Sequence, residues 1–185
     1  MKKTKMVFCK MLCLLSFMVV LEGCQDNRNN VRNDKPESEE TNKASIWDNM
    51  SYNTYVNPRF GYSIDYPSEM KETHVPDNDD GRVFEYNGLT ITVSGMYNAT
   101  DSDVKSMFEM SHKSSDTYTV VRNNWFVCSG VNNKGNIYYQ KTILKNDTWY
   151  TVILDYPKSM KEELDNVVNR VTNSFRFFEV RYVED

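Results

Sequence analysis

Apolar and polar residues alternate along most of the chain beyond residue 60, and a period of two confines such stretches to strands that bury one face. Phe60, Tyr62, Ile64 and Tyr66 alternate with Gly61, Ser63 and Asp65, and Pro67 ends the run. Leu89, Ile91 and Val93 repeat the pattern, as do Tyr150, Val152, Leu154 and Tyr156. Turn residues divide these runs. Residues 83–86 and 89–96 flank Asn87-Gly88, a pair that supplies the positive φ angles of a type I′ hairpin. Residues 125–131 and 136–144 flank a polar turn at 132–135, and Asn146-Asp147 then leads into 149–156. Antiparallel meanders are expected, since none of these connections has the length of a parallel crossover.

Two helices interrupt the strands. Asp101 or Ser102 can cap a run with Val104, Met107, Phe108 and Met110 or Ser111 at helical spacing. Past Pro157, Ser159 can cap a second run in which Met160, Leu164, Val167, Val168, Val171 and Phe175 share one face. The tail FRFFEVRYV offers a last short strand. Helices laid on an antiparallel sheet make an α+β domain, expected over residues 46–185.

The N-terminal part has a different character. Lys2, Lys3 and Lys5 precede an 11-residue apolar run, residues 11–21, broken only by Ser16. That length fits the core of a signal peptide, about 7–15 residues, and falls short of the roughly 20 needed to span a bilayer. The run meets Leu21-Glu22-Gly23-Cys24, which resembles the lipobox of bacterial lipoproteins, with Leu21, Gly23 and Cys24 matching the motif. Glu22 departs from it, that position being usually small and uncharged. The resemblance implies a signal peptide over 1–23 and a diacylglycerol on the Cys24 thiol. Two or three acyl chains hold a protein on a membrane where one would leak. Residues 24–45 follow as a polar stretch with one branched apolar residue, Val31, and too little apolar surface to fold; it is expected to be a tether. Gln25 does not resemble the Asp that retains some lipoproteins in the inner membrane, which points to the outer membrane.

Beyond residue 23 the chain carries 18 basic and 25 acidic side chains, a net charge of −7. That balance argues against nucleic acid, which needs a clustered basic surface to displace counterions. Cys128 is the single cysteine after Cys24, so the domain has no internal disulfide and is expected to use Cys128 as a small buried hydrophobe.

The segment Tyr55-Val56-Asn57-Pro58-Arg59-Phe60-Gly61-Tyr62-Ser63-Ile64-Asp65-Tyr66-Pro67 resembles the opening of PsbP-like domains, with their extended segment, Phe-Gly-aromatic turn and strand ending in Tyr-Pro. The later DGRVFEY segment and the strand, Pro, helix ending fit the same pattern. The resemblance covers roughly residues 50–180 and implies a PsbP-like αβα sandwich, an antiparallel sheet of about six strands packed by two helices. Members of that family include a photosystem extrinsic subunit, a nuclear Ran-binding protein and bacterial lipoproteins of the DcrB-like kind. They share a shape and not one activity, so the fold alone implies no reaction.

Candidate chemistry is sparse. The two histidines, His74 and His112, have no neighbouring His or Cys at ligand spacing, so neither a metal nor a catalytic role is expected. No nucleophile elbow, phosphate loop or dinucleotide fingerprint occurs. Asp77-Asn78-Asp79-Asp80-Gly81 has clustered carboxylates but fails the calcium-loop register, and is expected to be a solvated turn. Aromatic residues are abundant, and Tyr138-Tyr139 and Trp149-Tyr150 must send one ring to each face of the sheet. Trp125, Tyr138 and Trp149 are therefore the candidate binding residues. The expectation is a non-enzymatic, lipid-anchored module of the cell envelope, without cofactor or metal, that binds a protein partner. The alternative is a binder of a small ligand or glycan in a pocket between sheet and helix. A hydrolase would need His74 or His112 within hydrogen-bond reach of both a nucleophile and a carboxylate.

Overall fold

A computed structural model describes residues 45–179. The leader, Cys24, the polar stretch up to residue 44 and the end of the FRFFEVRYV tail lie outside the described residues. The elements in order are β1 (Tyr52–Asn57), β2 (Tyr62–Pro67), β3 (Lys71–His74), β4 (Gly81–Tyr86), β5 (Leu89–Tyr97), α1 (Val104–Ser111), β6 (Asp116–Val121), β7 (Trp125–Val131), β8 (Asn136–Lys145), β9 (Thr148–Pro157), α2 (Lys161–Asn173) and β10 (Arg176–Phe177).

The expected hairpins form where the turn residues place them. Asn87 (φ 43°) and Gly88 (φ 82°) both take the left-handed conformation that a type I′ turn requires between β4 and β5. Asn146 (φ 50°) and Asp147 (φ 53°) do the same between β8 and β9, which makes that connection a second tight hairpin. Neither pair could be β-branched without strain.

Seven strands form one antiparallel sheet in the order β3-β4-β5-β9-β8-β7-β6, and β1, β2 and β10 form a second, three-stranded one. The larger sheet thus has one strand more than the family pattern implies. The meanders β3-β4-β5 and β6-β7-β8-β9 are not joined end to end. The connection through α1 carries the chain from β5 to the far edge, and the second meander returns until β9 pairs with β5.

One face of the seven-stranded sheet packs against the small sheet and α2. Leu89, Ile91 and Val93 of β5 and Tyr150, Val152, Leu154 and Tyr156 of β9 meet Tyr62 and Ile64 of β2 and Leu164, Val167, Val168 and Val171 of α2. Each of these aliphatic side chains contributes roughly 1.5–3 kcal/mol by leaving water. Tyr150 also donates its hydroxyl to the Phe60 carbonyl (3.0 Å), tying the small sheet to the large one. Lys141, on the same face, donates to the Thr172 carbonyl and to Asn173 Oδ1 at 2.9 Å each, satisfying the C-terminal end of α2.

Both helix starts differ from expectation. Asn98 engages Ser102 through its side chain, accepting from the Ser102 N–H and donating to its carbonyl (3.0 Å each), while Asp101 sits at φ 50° in the turn. The cap of α1 falls instead to Asp103, whose Oδ1 accepts from the Ser106 N–H at 2.8 Å. Those hydrogen bonds hold the Asp103 carboxyl below the usual carboxylate range. The short helix buries Val104 and lays Met107 and Phe108 on Phe126, Cys128 and Trp149, on the opposite face of the sheet from α2, whereas Met110 is exposed. Ser159 caps nothing. A tight turn over residues 158–160 precedes α2, and Glu162 and Glu163 in the first turn complement the helix dipole.

The acidic loop also gains a role beyond solvation. The backbone carbonyls of Asn78, Asp79 and Asp80 accept from Arg59, from the Asn57 amide (3.0 Å) and from the Gly95 N–H (2.8 Å) respectively. Asn57 is fully buried, and its other amide atom accepts from the Phe60 N–H at 3.0 Å. The loop is therefore a clasp between the two sheets.

Candidate functional site

The three aromatic residues singled out from the sequence do not line one concavity. Trp149 and Tyr138 are buried on the α1 face, and the indole Nε1 of Trp149 has no hydrogen-bond partner among the described residues. Trp125 is partly buried on the other face, since it pairs with Ile143, which in turn lies opposite Tyr150. There it is flanked by the Arg122 guanidinium (5.7 Å) and the Lys141 ammonium (5.4 Å), an arrangement that stabilises the strand end rather than leaving the ring free.

The neighbour of Tyr138 does line a cavity. Tyr139 points to the α2 face, and with Tyr118, Val131, Ile137, Tyr156 and Val168 it encloses about 640 Å³ between the β6-β7-β8 side of the sheet and α2. That size lies within the roughly 300–1,000 Å³ common for binding pockets. Lys158, Lys161 and Asp165 stand around it, Lys161 and Asp165 forming a surface pair at 3.3 Å. Burial pushes the Tyr139 hydroxyl up and that of Tyr156 up to about 12, so both remain neutral donors at any physiological pH.

The cavity lies beside a free sheet edge. β6 terminates the seven-stranded sheet, and its outer backbone groups have no strand partner among the described residues. Past the bulge that follows the inward-facing Asp116, its outer stretch, residues 118–121, carries no charge or proline, and Tyr118 and Val121 are exposed. Natural edges are usually guarded by charge, proline or cover.

On the opposite face, at the corner where α1 gives way to β6, the fold assembles a polar cluster that sequence spacing did not show. His112 Nδ1 donates to Asp116 Oδ2 at 2.7 Å, the Lys113 backbone N–H donates to the same oxygen at 3.0 Å, and the Tyr138 hydroxyl donates to Asp116 Oδ1. Cys128 Sγ joins them: ligand atoms of His112, Asp116 and Cys128 all lie within 4.8 Å of one another. The Asp116 side chain is fully buried and His112 is partly exposed. Gly130, opposite Asp116 in the ladder, makes room for this packing, because a Cβ there would sit 2.6 Å from the Ser115 carbonyl oxygen and 3.0 Å from the Tyr138 hydroxyl. His112 and Asp116 are four residues apart across one turn, a pattern visible in the sequence. Cys128 reaches them only through the β6-β7 register.

His112 thus meets a carboxylate beside a potential nucleophile, yet the electrostatics oppose nucleophilic catalysis. Burial and the neighbouring Asp116 charge push the Cys128 thiol up to about 12. A reactive cysteine needs the reverse, a thiolate stabilised by a cation. His74 is exposed at the end of β3, at the other edge of the sheet.

No protein-family model and no curated protein matches the sequence. Among solved structures, the chain is similar to the cyanobacterial PsbP protein CyanoP of Synechocystis at 12% identity, covering 75% of this chain and 99% of that one with a TM-score of 0.54. The fold is PsbP-like. The Saccharomyces cerevisiae Ran-binding protein Mog1p matches at 12% identity over 70% of this chain and 96% of that one, with a TM-score of 0.46. A Bacteroides thetaiotaomicron protein matches at 15% identity over 70% of this chain and 50% of that one, with a TM-score of 0.47.

Proposed function

We propose that this chain is a non-enzymatic protein-binding module, held on a cell-envelope membrane, most simply the outer membrane, by a lipid on Cys24. It takes an extended segment of an envelope protein along β6 and seats one large apolar side chain of that segment in the adjacent cavity. The observation that carries this reading is the unpaired, uncharged stretch 118–121 of the β6 edge running beside an aromatic-lined cavity. Strand addition draws affinity from main-chain hydrogen bonds and specificity from pockets that receive alternate side chains. Lys158 and Lys161 at the rim favour an acidic residue next to the seated side chain. The tether expected over residues 24–45 lets the domain reach a partner away from the bilayer.

The test places a photo-crosslinking residue at position 118 on β6 or at position 73 on β3, in the full chain on envelope membranes. A single discrete adduct is expected from position 118 alone, lost when Val131 is also replaced by Arg to fill the cavity. Equal adducts from both positions would refute the assignment. A small ligand or glycan in the same cavity is the alternative reading, favoured by its volume; under it, the Val131→Arg change abolishes ligand binding while the position 118 adduct never forms. The anchor is checked separately by metabolic labelling with a fatty-acid analogue, which should mark the wild type and leave Cys24→Ser unlabelled.

A further inference from the structure

We propose that His112, Asp116 and Cys128 bind a single Zn²⁺-like divalent transition-metal ion, with the fourth coordination position open on the exposed side of His112. This inference rests on the cluster across the sheet from the cavity and is independent of the partner reading. The donor set is one imidazole nitrogen, one carboxylate oxygen and one sulfur, the mixture that suits a borderline cation such as zinc; calcium and magnesium prefer oxygen alone.

Geometry comes first. In a tetrahedral zinc site with bonds of about 2.0–2.3 Å, neighbouring ligand atoms stand roughly 3.3–3.8 Å apart. Here the three lie within 4.8 Å of one another, with His112 Nδ1 and Asp116 Oδ2 at 2.7 Å. A cation among them needs the His112 ring to swing slightly away from the Asp116 oxygen, opening a space that the carboxylate, the imidazole and the sulfur all face. His112, at the C-terminal end of α1, is the adjustable member, whereas Asp116 and Cys128 are fixed in paired strands.

Charge balance follows. A fully buried carboxylate is costly unless paired. One Zn²⁺ bound to a carboxylate, a thiolate and a neutral imidazole leaves the buried group with no net charge. On binding, the Cys128 thiol releases its proton to solvent, and the imidazole proton shared with Asp116 moves to Nε2. The Asp116 charge that now disfavours the thiolate is offset by the ion, whose own charge dominates such a site.

The surroundings hold the ligands as metal sites require. The Tyr138 hydroxyl and the Lys113 N–H fix the two Asp116 oxygens, and Phe108 stacks on the His112 ring with centroids 5.2 Å apart. Such partners orient ligands, and losing one typically costs about 10–100-fold in affinity.

The test uses the full chain in detergent with Co²⁺ as a spectroscopic probe and Zn²⁺ as competitor. The wild type should take up one equivalent of Co²⁺, show a sulfur-to-cobalt charge-transfer band and the intense visible bands of tetrahedral cobalt, and lose both on adding Zn²⁺. Cys128→Ser leaves every other cysteine unchanged, so its expected loss of the charge-transfer band assigns the sulfur. His112→Gln, at a partly exposed position that leaves the core intact, should weaken Co²⁺ binding by more than about 100-fold, beyond the loss of a mere orienting partner. Tyr138→Phe should weaken it by about tenfold. No cobalt band in the wild type, an undiminished band in Cys128→Ser, or wild-type affinity in His112→Gln each overturns the site. If Cys128→Ser fails to fold, His112→Gln decides alone.

Discussion

β3 and β6 close the same seven-stranded sheet on opposite sides. β3 is Lys-Glu-Thr-His, four residues long and exposed throughout, with Glu72 3.3 Å from Arg82 on the neighbouring strand. β6 is six residues long, carries Tyr118 and Val121 in the open, and lies over a cavity on one face and a buried polar cluster on the other. Short edges with outward charges repel other strands; longer ones whose outward side chains are uncharged invite them. A protein that only needed to remain monomeric would guard both. This asymmetry is the reason the proposed binding surface is assigned to the β6 side.

Several substitutions would break or sharpen that contrast. The largest effect is expected from Gly130→Val, whose side chain would collide with the backbone of Ser115 and Asp116 and push the start of β6 off the sheet. It should destabilise the domain by about 3 kcal/mol in urea unfolding, against less than about 0.5 kcal/mol for Thr73→Val on exposed β3. An equal loss at both positions would erase the structural distinction between the edges. Tyr138→Phe comes next. It removes a hydrogen bond to a buried carboxylate and should cost about 2 kcal/mol, read from the same unfolding curves.

A smaller effect on stability, with a larger one on association, is expected from exchanging the guards. Tyr118→Lys with Val121→Lys should change stability by less than about 0.5 kcal/mol and abolish co-purification of the envelope partner, whereas Lys71→Val with Glu72→Val should make the protein self-associate in sedimentation. Monomeric behaviour of the latter pair would show that β3 charge is not what keeps that edge free. Smallest of all is Glu72→Ala. The pair with Arg82 is half exposed at its acidic end and Arg82 keeps Asp79, so the loss should stay at about 0.3 kcal/mol by thermal unfolding.

The same contrast explains which strands are legible in the sequence. β2, β5 and β9 each bury one face, so their alternation is plain in Tyr62-Ser63-Ile64, in Leu89 to Val93 and in Tyr150 to Tyr156. β3 and β6 are not legible in the sequence, and β1 only as the extended segment that opens the PsbP-like pattern, because a strand at an edge needs little apolar surface: Lys-Glu-Thr-His has none to alternate. Asp103 displaced the expected cap because Asn98 had already engaged Ser102, a competition between neighbours that single-residue preference does not resolve. Trp149 and Tyr138 were recognised as strand aromatics, but the helix that covers one and the carboxylate that engages the other come from elsewhere in the chain.

Local chemistry sets the inward face of each central strand, the positive-φ hairpin at Asn87-Gly88 and the buried stripe of α2. Each depends on residues within one or two turns of backbone, whose spacing and allowed φ angles act before any distant contact forms. Long-range packing alone places β9 beside β5, puts β6 at the end of the sheet and brings His112, Asp116 and Cys128 together. Those outcomes depend on strand register and on which face a helix covers, and both are settled by burial summed over the whole sheet rather than by any segment alone.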